Sequence, residues 1–458
     1  MSAGTSQQPP LASIEEALQQ FLLQLGSALT AAGEAVNEVQ DHLQAVAVAY
    51  GATEARFVVL PTFLVVALDP RRPATLEPTS QLSGVLRLDQ TSALFDILKR
   101  AIKAEIDPAE GSRQVLEIIT RPSQYRSLFT LIGYTILTAG ICLILQPTWS
   151  DVALAAGFGL IVGALTHFGN RWVTVQALLP VAAAFTVSAL TFLLADQGWA
   201  NANLRTMIAP LITFLPGAAL TMSVIELSAA QMVSGASRLV SGALQLVLLA
   251  FGIVSAAQAF GVPTAEILAD NPQNLIGWWA PWLGVIVFGL GVAVFYSAPS
   301  GSLFGLFFVL LVAFVGQQAG SALLGGYVGG FIGALVMTVT ARLIERTSFG
   351  PPALVSFLPG FWLLVPGALG LIGLTEYIAS GPAFGIESLL GTLGAMVAIA
   401  VGVLCGYVLI DAVKPLYRHA VRPALDLLPF QLVPPIDPAV DGLTQEATDH
   451  ANRPQEDA

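Results

Sequence analysis

The chain has 458 residues, of which 55% are hydrophobic and only 11% are charged. Soluble globular proteins carry about 25% charged residues, so this composition argues against a water-soluble fold for the whole chain. The formal net charge of −11 provides no basic surface for nucleic acid, and we expect no nucleic-acid partner.

Charged residues are concentrated at the two ends of the chain. Residues 1–122 hold 14 acidic and 9 basic residues, whereas the 306 residues from 123 to 428 hold only 10 and 9. The sequence therefore predicts a soluble front over 1–122, a membrane body over 123–428 and a disordered acidic tail over 429–458. The first ten residues lack the basic start and apolar core of a signal peptide, so we do not expect the front to be exported.

The hydropathy pattern of the front predicts a small α+β domain. Apolar residues recur at spacings of three and four over 11–50, which is typical of an amphipathic helix, with Gly26 and Gly33 as candidate breaks. The segments that follow predict strands over 55–60, 63–68 and 82–88 and helices over 91–102 and 108–119. Asp107 is the expected N-cap of the last helix.

The sequence offers no clear centre for catalysis or metal binding. Glu38, Asp41 and His42 fall within one helical turn, but we interpret them as a solvated helix face. The front contains no GxSxG, HExxH or phosphate-binding glycine motif. Cys142 and Cys405 lie in separate apolar segments without a histidine at ligand spacing. We therefore assign no catalytic residue, no metal and no cofactor.

The membrane body contains ten apolar segments that we interpret as transmembrane helices. A hydrocarbon core of about 30 Å requires around 20 helical residues. The predicted spans are 126–145, 151–166, 172–194, 207–225, 239–259, 276–296, 303–315, 323–343, 353–374 and 389–410. Basic residues near span ends are retained in the cytoplasm, and their distribution predicts an inner-membrane protein with both termini cytoplasmic.

The ten spans form two halves, 123–260 and 261–428, that are related by an offset of about 150 residues. Leu215-Pro216-Gly217-Ala218 is followed by Glu226, and Val365-Pro366-Gly367-Ala368 is followed by Glu376. Each of these positions in the second half lies 150 residues after its counterpart. Five spans per half would invert the second copy, so the sequence predicts a 5+5 inverted repeat, a common plan among transporters.

The paired Pro-Gly motifs predict broken helices that could bind a solute. A proline inside a helix leaves main-chain amides and carbonyls unpaired, and these groups can bind the carboxylate and ammonium of a zwitterion. The candidate binding residues are Pro216, Gly217, Pro366 and Gly367, together with Thr221 and Ser223. The alternative is that these residues only bend the helices for packing.

Charged residues near the spans are the remaining candidates. Glu226 and Glu376 lie nearest the breaks and would carry a coupling proton or bind the ammonium, unless they are plain interfacial residues. The weaker candidates are Asp151, His167, Arg171, Arg238 and Asp411. Among these, the sequence favours Arg171 and Arg238 as cytoplasmic anchors.

Several motifs carry a resemblance to a known family. They are LPGAAL at 215–220, SGASRL at 234–239, GPP at 350–352, FLPG at 357–360 and LVPG at 364–367, with weaker similarity in the front from Leu25-Gly26 through Gly51 and at Pro61-Thr62. In these motifs, and over nearly its whole length up to the tail, the chain resembles the threonine/serine exporter family.

The resemblance implies ten spans, a cytoplasmic N-terminal domain, and export of L-threonine and L-serine driven by the proton motive force. Protons and membrane lipid would then be partners, and a homo-oligomer is left open. A dicarboxylate carrier remains an alternative, although such a site needs fixed positive charge, which the predicted spans almost lack. A membrane-anchored hydrolase is a third alternative, without an assignable nucleophile.

Overall fold

The computed structural model describes residues 11–78, 86–123, 125, 127–145, 148–169, 172–198, 204–263, 276–347, 350–364, 371–375 and 382–416. The chain divides into two compact units, one ending at Pro122 and one beginning at Ser123. The predicted tail over 429–458 lies outside the described residues.

The first unit is an α+β domain. Its elements are α1 (Leu11–Ala31), α2 (Val36–Ala49), β1 (Arg56–Val59), β2 (Phe63–Ala67), β3 (Thr75–Pro78), α3 (Leu88–Ile102) and α4 (Pro108–Thr120). The three strands form an antiparallel sheet in the order β1-β2-β3. The sheet and helices bury an apolar core that includes Phe21, Leu25, Leu43, Leu64 and Leu94.

The break in the first predicted helix lies at Gly33, because Gly33 adopts a φ of +92° that other residues rarely reach. Gly26 stays inside α1, where a Cβ would lie 2.6 Å from the Leu64 side chain. Gly26 therefore permits close packing of the helix on the sheet rather than a break.

The third strand was predicted in the wrong place. It spans Thr75–Pro78, whereas in the predicted segment 82–88 the described residues 86–88 form no strand and Leu88 begins α3. The reason is a capping arrangement in which the Arg87 main-chain N–H donates to the Gln90 side chain, so the chain turns into a helix there. The prediction for α4 is confirmed, since the Asp107 carboxylate accepts hydrogen bonds from the amides of Ala109 and Glu110.

Among the described residues of the second unit, all regular secondary structure is helical. Its helices are α5 (Ser127–Ile144), α6 (Trp149–Gly169), α7 (Val173–Asp196), α8 (Leu204–Ile208), α9 (Gly217–Ser228), α10 (Met232–Phe260), α11 (Ala280–Phe295), α12 (Leu303–Leu324), α13 (Gly326–Glu345), α14 (Ala353–Leu364) and α15 (Pro382–Leu416). Short 3-10 turns cover Ala209–Phe214 and Ser300–Ser302.

Seven of the described helices are long and apolar enough to cross a membrane, and a bent helix pair gives an eighth candidate span. Two shorter apolar helices, α11 and α14, lie where the sixth and ninth spans were predicted. The second unit is therefore a multi-pass membrane region, and a total of ten spans stays a prediction.

Several helices extend beyond their predicted bounds. The second and seventh spans were predicted to be short, yet α6 has 21 residues and α12 has 22. In α12, Gly316 and Gly320 lie beyond the predicted end of the span. They continue the helix and let it approach α13 closely. Similarly α10 begins at Met232, which moves Arg238 from a predicted loop into the second turn of a continuous helix.

Close glycine contacts join the helices of the second unit. Helices α5 and α11 run antiparallel, because Gly133 lies opposite Phe295 and Gly140 lies opposite Phe288. A glycine on α10 packs against α7, and a glycine on α15 packs against α13 in the same way. Gly252 faces Val181 O, Ala184 Cβ and Phe185 N, and Gly402 faces Phe331 O, Ala334 Cβ and Leu335 N. Every residue in the second set lies 150 positions after its counterpart in the first.

Candidate functional site

The Pro216–Gly217 motif breaks the fourth predicted span, as expected. Residues Thr206–Phe214 and Gly217–Ser228 form two helical segments that meet at an angle of 54°. The 3-10 turn ends at Phe214, and α9 begins at Gly217 after Pro216. A proline cannot donate a main-chain hydrogen bond and clashes with the preceding turn, which explains the position of the break.

The break exposes the N-terminus of α9 as a potential anion site. The first main-chain N–H groups of a helix have no acceptor within that helix, and here the amide of Leu220 is the first to bond back, to Pro216 O. Together with the helix dipole, free amides favour a carboxylate. The preceding segment is held by Tyr134, whose hydroxyl donates to Pro210 O at 2.7 Å and lies 2.8 Å from Thr213 Oγ1.

A buried ion pair joins α9 to α10. Arg238 Nε lies 3.0 Å from Glu226 Oε1, and the Glu226 side chain is 0% exposed, whereas that of Arg238 is 18% exposed. The turn between the helices is short, and the amide of Gln231 donates to Glu226 O. Both charged residues were candidates from the sequence, but Arg238 was expected to be a cytoplasmic anchor, and no local pattern predicted that the two would pair.

Hydroxyl groups surround this hairpin. Thr221, Ser223 and Ser234 are all at most 1% exposed. Ser223 Oγ donates to Leu220 O, whereas Thr221 Oγ1 and Ser234 Oγ form no hydrogen bond with any residue that the structure describes. A buried hydroxyl without a partner is costly, so these two groups are suited to a polar ligand. Ser234 could not be recognised from the sequence, because its burial depends on how α10 packs.

The free amides and the Glu226 backbone lie near opposite ends of α9. Gly217 and Glu226 are nine residues apart, which is about 13.5 Å along a helix. The ammonium and carboxylate of an α-amino acid are joined through a single carbon. We therefore treat the break and the ion pair as two separate candidate sites.

Asp151 has a structural role in the described geometry. Its Oδ2 accepts from the amide and hydroxyl of Thr148, and the Asp151 amide donates to Thr148 Oγ1. These reciprocal bonds cap α6, and Thr206 donates to Asp151 Oδ1 at 2.9 Å. His167 lies in the last turn of α6, partly exposed, against Phe168.

The second Pro-Gly motif lies outside the described residues. Helix α14 is described up to Leu364, and residues 371–375 are helical. Pro366, Gly367, Glu376 and Arg171 lie outside the described residues, and the side chain of Asp411 on α15 does too.

The described residues of the first unit offer no competing site. Asp41 remains solvent-accessible, although partial desolvation and the neighbouring Glu38 carboxylate raise the pKa of Asp41 to about 6. The His42 ring packs edge-on against Phe95 at 6.0 Å between centroids. No group of three or more His, Cys, Asp or Glu side chains among the described residues could hold a metal ion.

These features define a multi-pass helical membrane protein with a broken span and a buried ion pair beside it. The model of the family described as "Putative threonine/serine exporter" (ThrE) matches residues 20–260. The chain therefore belongs to this family, which comprises transporters rather than enzymes. The match covers most of the first unit and the membrane helices up to α10, and neither a curated protein nor a solved structure matches the chain.

Proposed function

We propose that this protein is a secondary active exporter of small amino acids, L-threonine and L-serine, driven by the proton motive force. The observation that carries the proposal is the 54° break at Pro216–Gly217 within a candidate span of a member of this family. Transporters of zwitterions use such breaks because a single site must satisfy both an anion and a cation inside the membrane.

The substrate carboxylate binds the free amides at the N-terminus of α9, and main-chain carbonyls at the break bind the ammonium. Thr221 lies one turn into α9 and is fully buried with a hydroxyl available for the substrate. Pro366 and Gly367 form the corresponding part of the site from the second half. A hydroxyl-bearing amino acid would add one hydrogen bond to such a site, which favours threonine and serine over alanine.

Proton coupling is assigned to the Glu226–Arg238 pair rather than to the binding site. Protonation of Glu226 would remove the negative charge that lies 3.0 Å from Arg238 Nε and would weaken the pair. The pair would separate, and α9 would move relative to α10. This sequence of events links a proton to the broken helix from about 13.5 Å away. Glu376 is the matching candidate in the second half.

Alternating access follows from an inverted repeat of two five-helix halves. The contacts of Gly252 and Gly402 support the repeat, because the atoms they face agree in kind and lie 150 residues apart. The antiparallel contact of α5 with α11 supports the inversion, since these are the first helices of the two halves. The halves would rock against each other around the breaks.

A dicarboxylate carrier is disfavoured by the same ion pair. Two carboxylates need fixed positive charge that is free to bind them, and Arg238 is already neutralised by Glu226 at 3.0 Å. A substrate with no net charge requires no such group. Succinate is therefore the appropriate competing substrate in a test.

The test is efflux of labelled threonine, serine and succinate from proteoliposomes that contain the pure protein, with and without a pH gradient. We expect gradient-dependent movement of threonine and serine, which is lost in Glu226→Gln and Glu376→Gln. Glu345→Gln is the matched control, because Glu345 also pairs with an arginine, Arg342, near a helix end. Movement of succinate alone would reject the substrate class, and equal rates without a gradient would reject proton coupling.

A further inference from the structure

Two main-chain carbonyls occupy equivalent positions before the paired Pro-Gly motifs. Phe214 ends the 3-10 turn before Pro216, and Leu364 is the last described residue of α14 before Pro366. Each residue lies two positions before its proline, and the two residues are 150 positions apart. In an unbroken α-helix these carbonyls would accept from the amides of Ala218 and Ala368.

Each of these carbonyls accepts a hydrogen bond from a glutamine side chain on another helix. Gln245 Nε2 on α10 donates to Phe214 O at 3.0 Å. Gln317 Nε2 on α12 donates to Leu364 O at 3.2 Å. Both glutamines are partly buried. A main-chain carbonyl without a partner costs several kcal/mol in a hydrocarbon environment, so the bond from Gln245 removes a large penalty of breaking the span at Pro216.

The two glutamines are not copies of each other. Counterparts at the 150-residue offset would be Ala395 for Gln245 and His167 for Gln317, so neither glutamine is repeated. The same hydrogen bond is made from the helix after the break in one half and from a helix before it in the other. Convergence of two unrelated positions on one interaction indicates a requirement at this carbonyl in each half rather than inherited packing.

From these contacts we propose that Gln245 and Gln317 are positioning residues that hold the carbonyls before the paired Pro-Gly motifs for substrate binding. Gln245 gives the Phe214 carbonyl a donor in the broken conformation, so the span does not close onto the Ala218 amide, which stays available to a substrate carboxylate. Gln317 gives the Leu364 carbonyl a donor in the same way. The inference rests on the proposed function, because it specifies how the amide site of that transporter is kept open.

Replacement by glutamate tests the donor role in transport. A carboxylate accepts hydrogen bonds but cannot donate, so Gln245→Glu and Gln317→Glu should lower threonine efflux roughly tenfold or more at pH 8. A protonated glutamate can donate again, and we expect recovery toward the wild-type rate as the pH falls to 5, under a fixed gradient. Gln318→Glu on α12 and Gln258→Glu on α10 are controls, because both side chains are exposed.

A second measurement does not depend on transport. In the purified protein, Gln245→Leu should slow hydrogen exchange of the amides in residues 215–220 at least several-fold, because Phe214 O can then accept the Ala218 amide and close the break, and Gln258→Leu should leave it unchanged. Gln245→Met replaces the leucine variant if that variant does not fold.

The two measurements separate the inference from the proposed function. If the wild-type protein moves no amino acid, the proposed function fails, and the exchange experiment still decides whether Gln245 holds the break. If the wild type transports threonine and both glutamate variants follow their controls at every pH, the positioning role is wrong while the proposed function stands. Unchanged exchange in Gln245→Leu would likewise overturn it.

Discussion

Glu226 and Arg238 place opposite charges inside a helical hairpin of the membrane unit. Removing two ions from water costs several kcal/mol each, and their attraction offsets this cost only when the two groups are close, as Arg238 Nε and Glu226 Oε1 are at 3.0 Å. A buried pair is therefore weak evidence for stability. It is better explained by a role that needs charge in this place.

We expect the effects of substitutions at Glu226 and Arg238 on stability to be strongly non-additive. Glu226→Gln or Arg238→Gln alone leaves one buried charge without a partner, and we expect each to destabilise the protein by about 3–5 kcal/mol. The double variant should be more stable than either single variant, because it leaves no unpaired charge. Thermal unfolding of the purified protein in detergent measures this difference.

The more exposed pair of Arg342 with Glu345 provides the control cycle. Its side chains are 24% and 16% exposed, and pairs near the solvent typically contribute about 0–1 kcal/mol. We expect nearly additive effects in this second cycle. Additive losses at Glu226 and Arg238 as well would show that the two charges do not interact.

For single residues, predictions from the sequence were most accurate where the interaction joins neighbouring residues. The N-cap role of Asp107 follows from three consecutive residues and is confirmed. The cap formed by Asp151 also depends on a neighbour, Thr148. The Asp151 carboxylate accepts a further hydrogen bond from Thr206, however, which lies 55 positions away. That bond could not be predicted, because it requires α6 and α8 to pack together.

Elements of the membrane unit approach each other through glycines. At Gly252 a Cβ would lie 2.7 Å from Val181 O, closer than real Cβ atoms come to a carbonyl. At Gly402 the same clash occurs with Phe331 O. Close backbone approach is a common way for transmembrane helices to gain contact, because apolar side chains gain little from leaving lipid.

Alanine at these two glycines should force the helices apart. We expect Gly252→Ala and Gly402→Ala each to lower stability by about 1–3 kcal/mol, since the obstructing atoms are main chain and cannot rotate away. Gly157→Ala is the control, because a Cβ there meets nothing within 4 Å. That control should be neutral or up to about 1 kcal/mol more stable.

Melting temperatures of the three purified variants in one detergent provide the measurement. Equal losses at Gly252 and Gly402 are expected if the two helix pairs pack equivalently. A loss at Gly252 without one at Gly402 would contradict the equivalence and weaken the proposed repeat.

The whole molecule is predicted to lie with its first unit and both termini in the cytoplasm. Single cysteines placed at exposed positions test this orientation in a variant that lacks Cys142 and Cys405. Glu105→Cys in the first unit should react with a membrane-impermeant maleimide only in inverted vesicles, because the cytoplasmic face of the membrane points outward in such vesicles.

The turn after α7 is the matched position for the opposite side. Gln197 is exposed, and three predicted spans separate it from the first unit. Gln197→Cys should therefore react in intact cells and not in sealed inverted vesicles. Labelling of both positions from the same side would refute the proposed topology.

The sequence by itself determined the membrane character, the family and the place of the first break. These depend on composition, on motifs and on a proline that lacks an N–H, and each acts within a few neighbouring residues. A misplaced third strand shows the limit, because the apolar segment at 82–88 was assigned without the cap that Gln90 forms with the Arg87 amide.

Only the tertiary structure decided which groups meet. Arg238 contacts Glu226 because α10 begins at Met232 and folds back along α9. Gln245 reaches Phe214 across 31 residues, and Gln317 reaches Leu364 across 47. Such contacts depend on the rotation and depth of whole helices, which are set by packing against several neighbours and not by any local pattern.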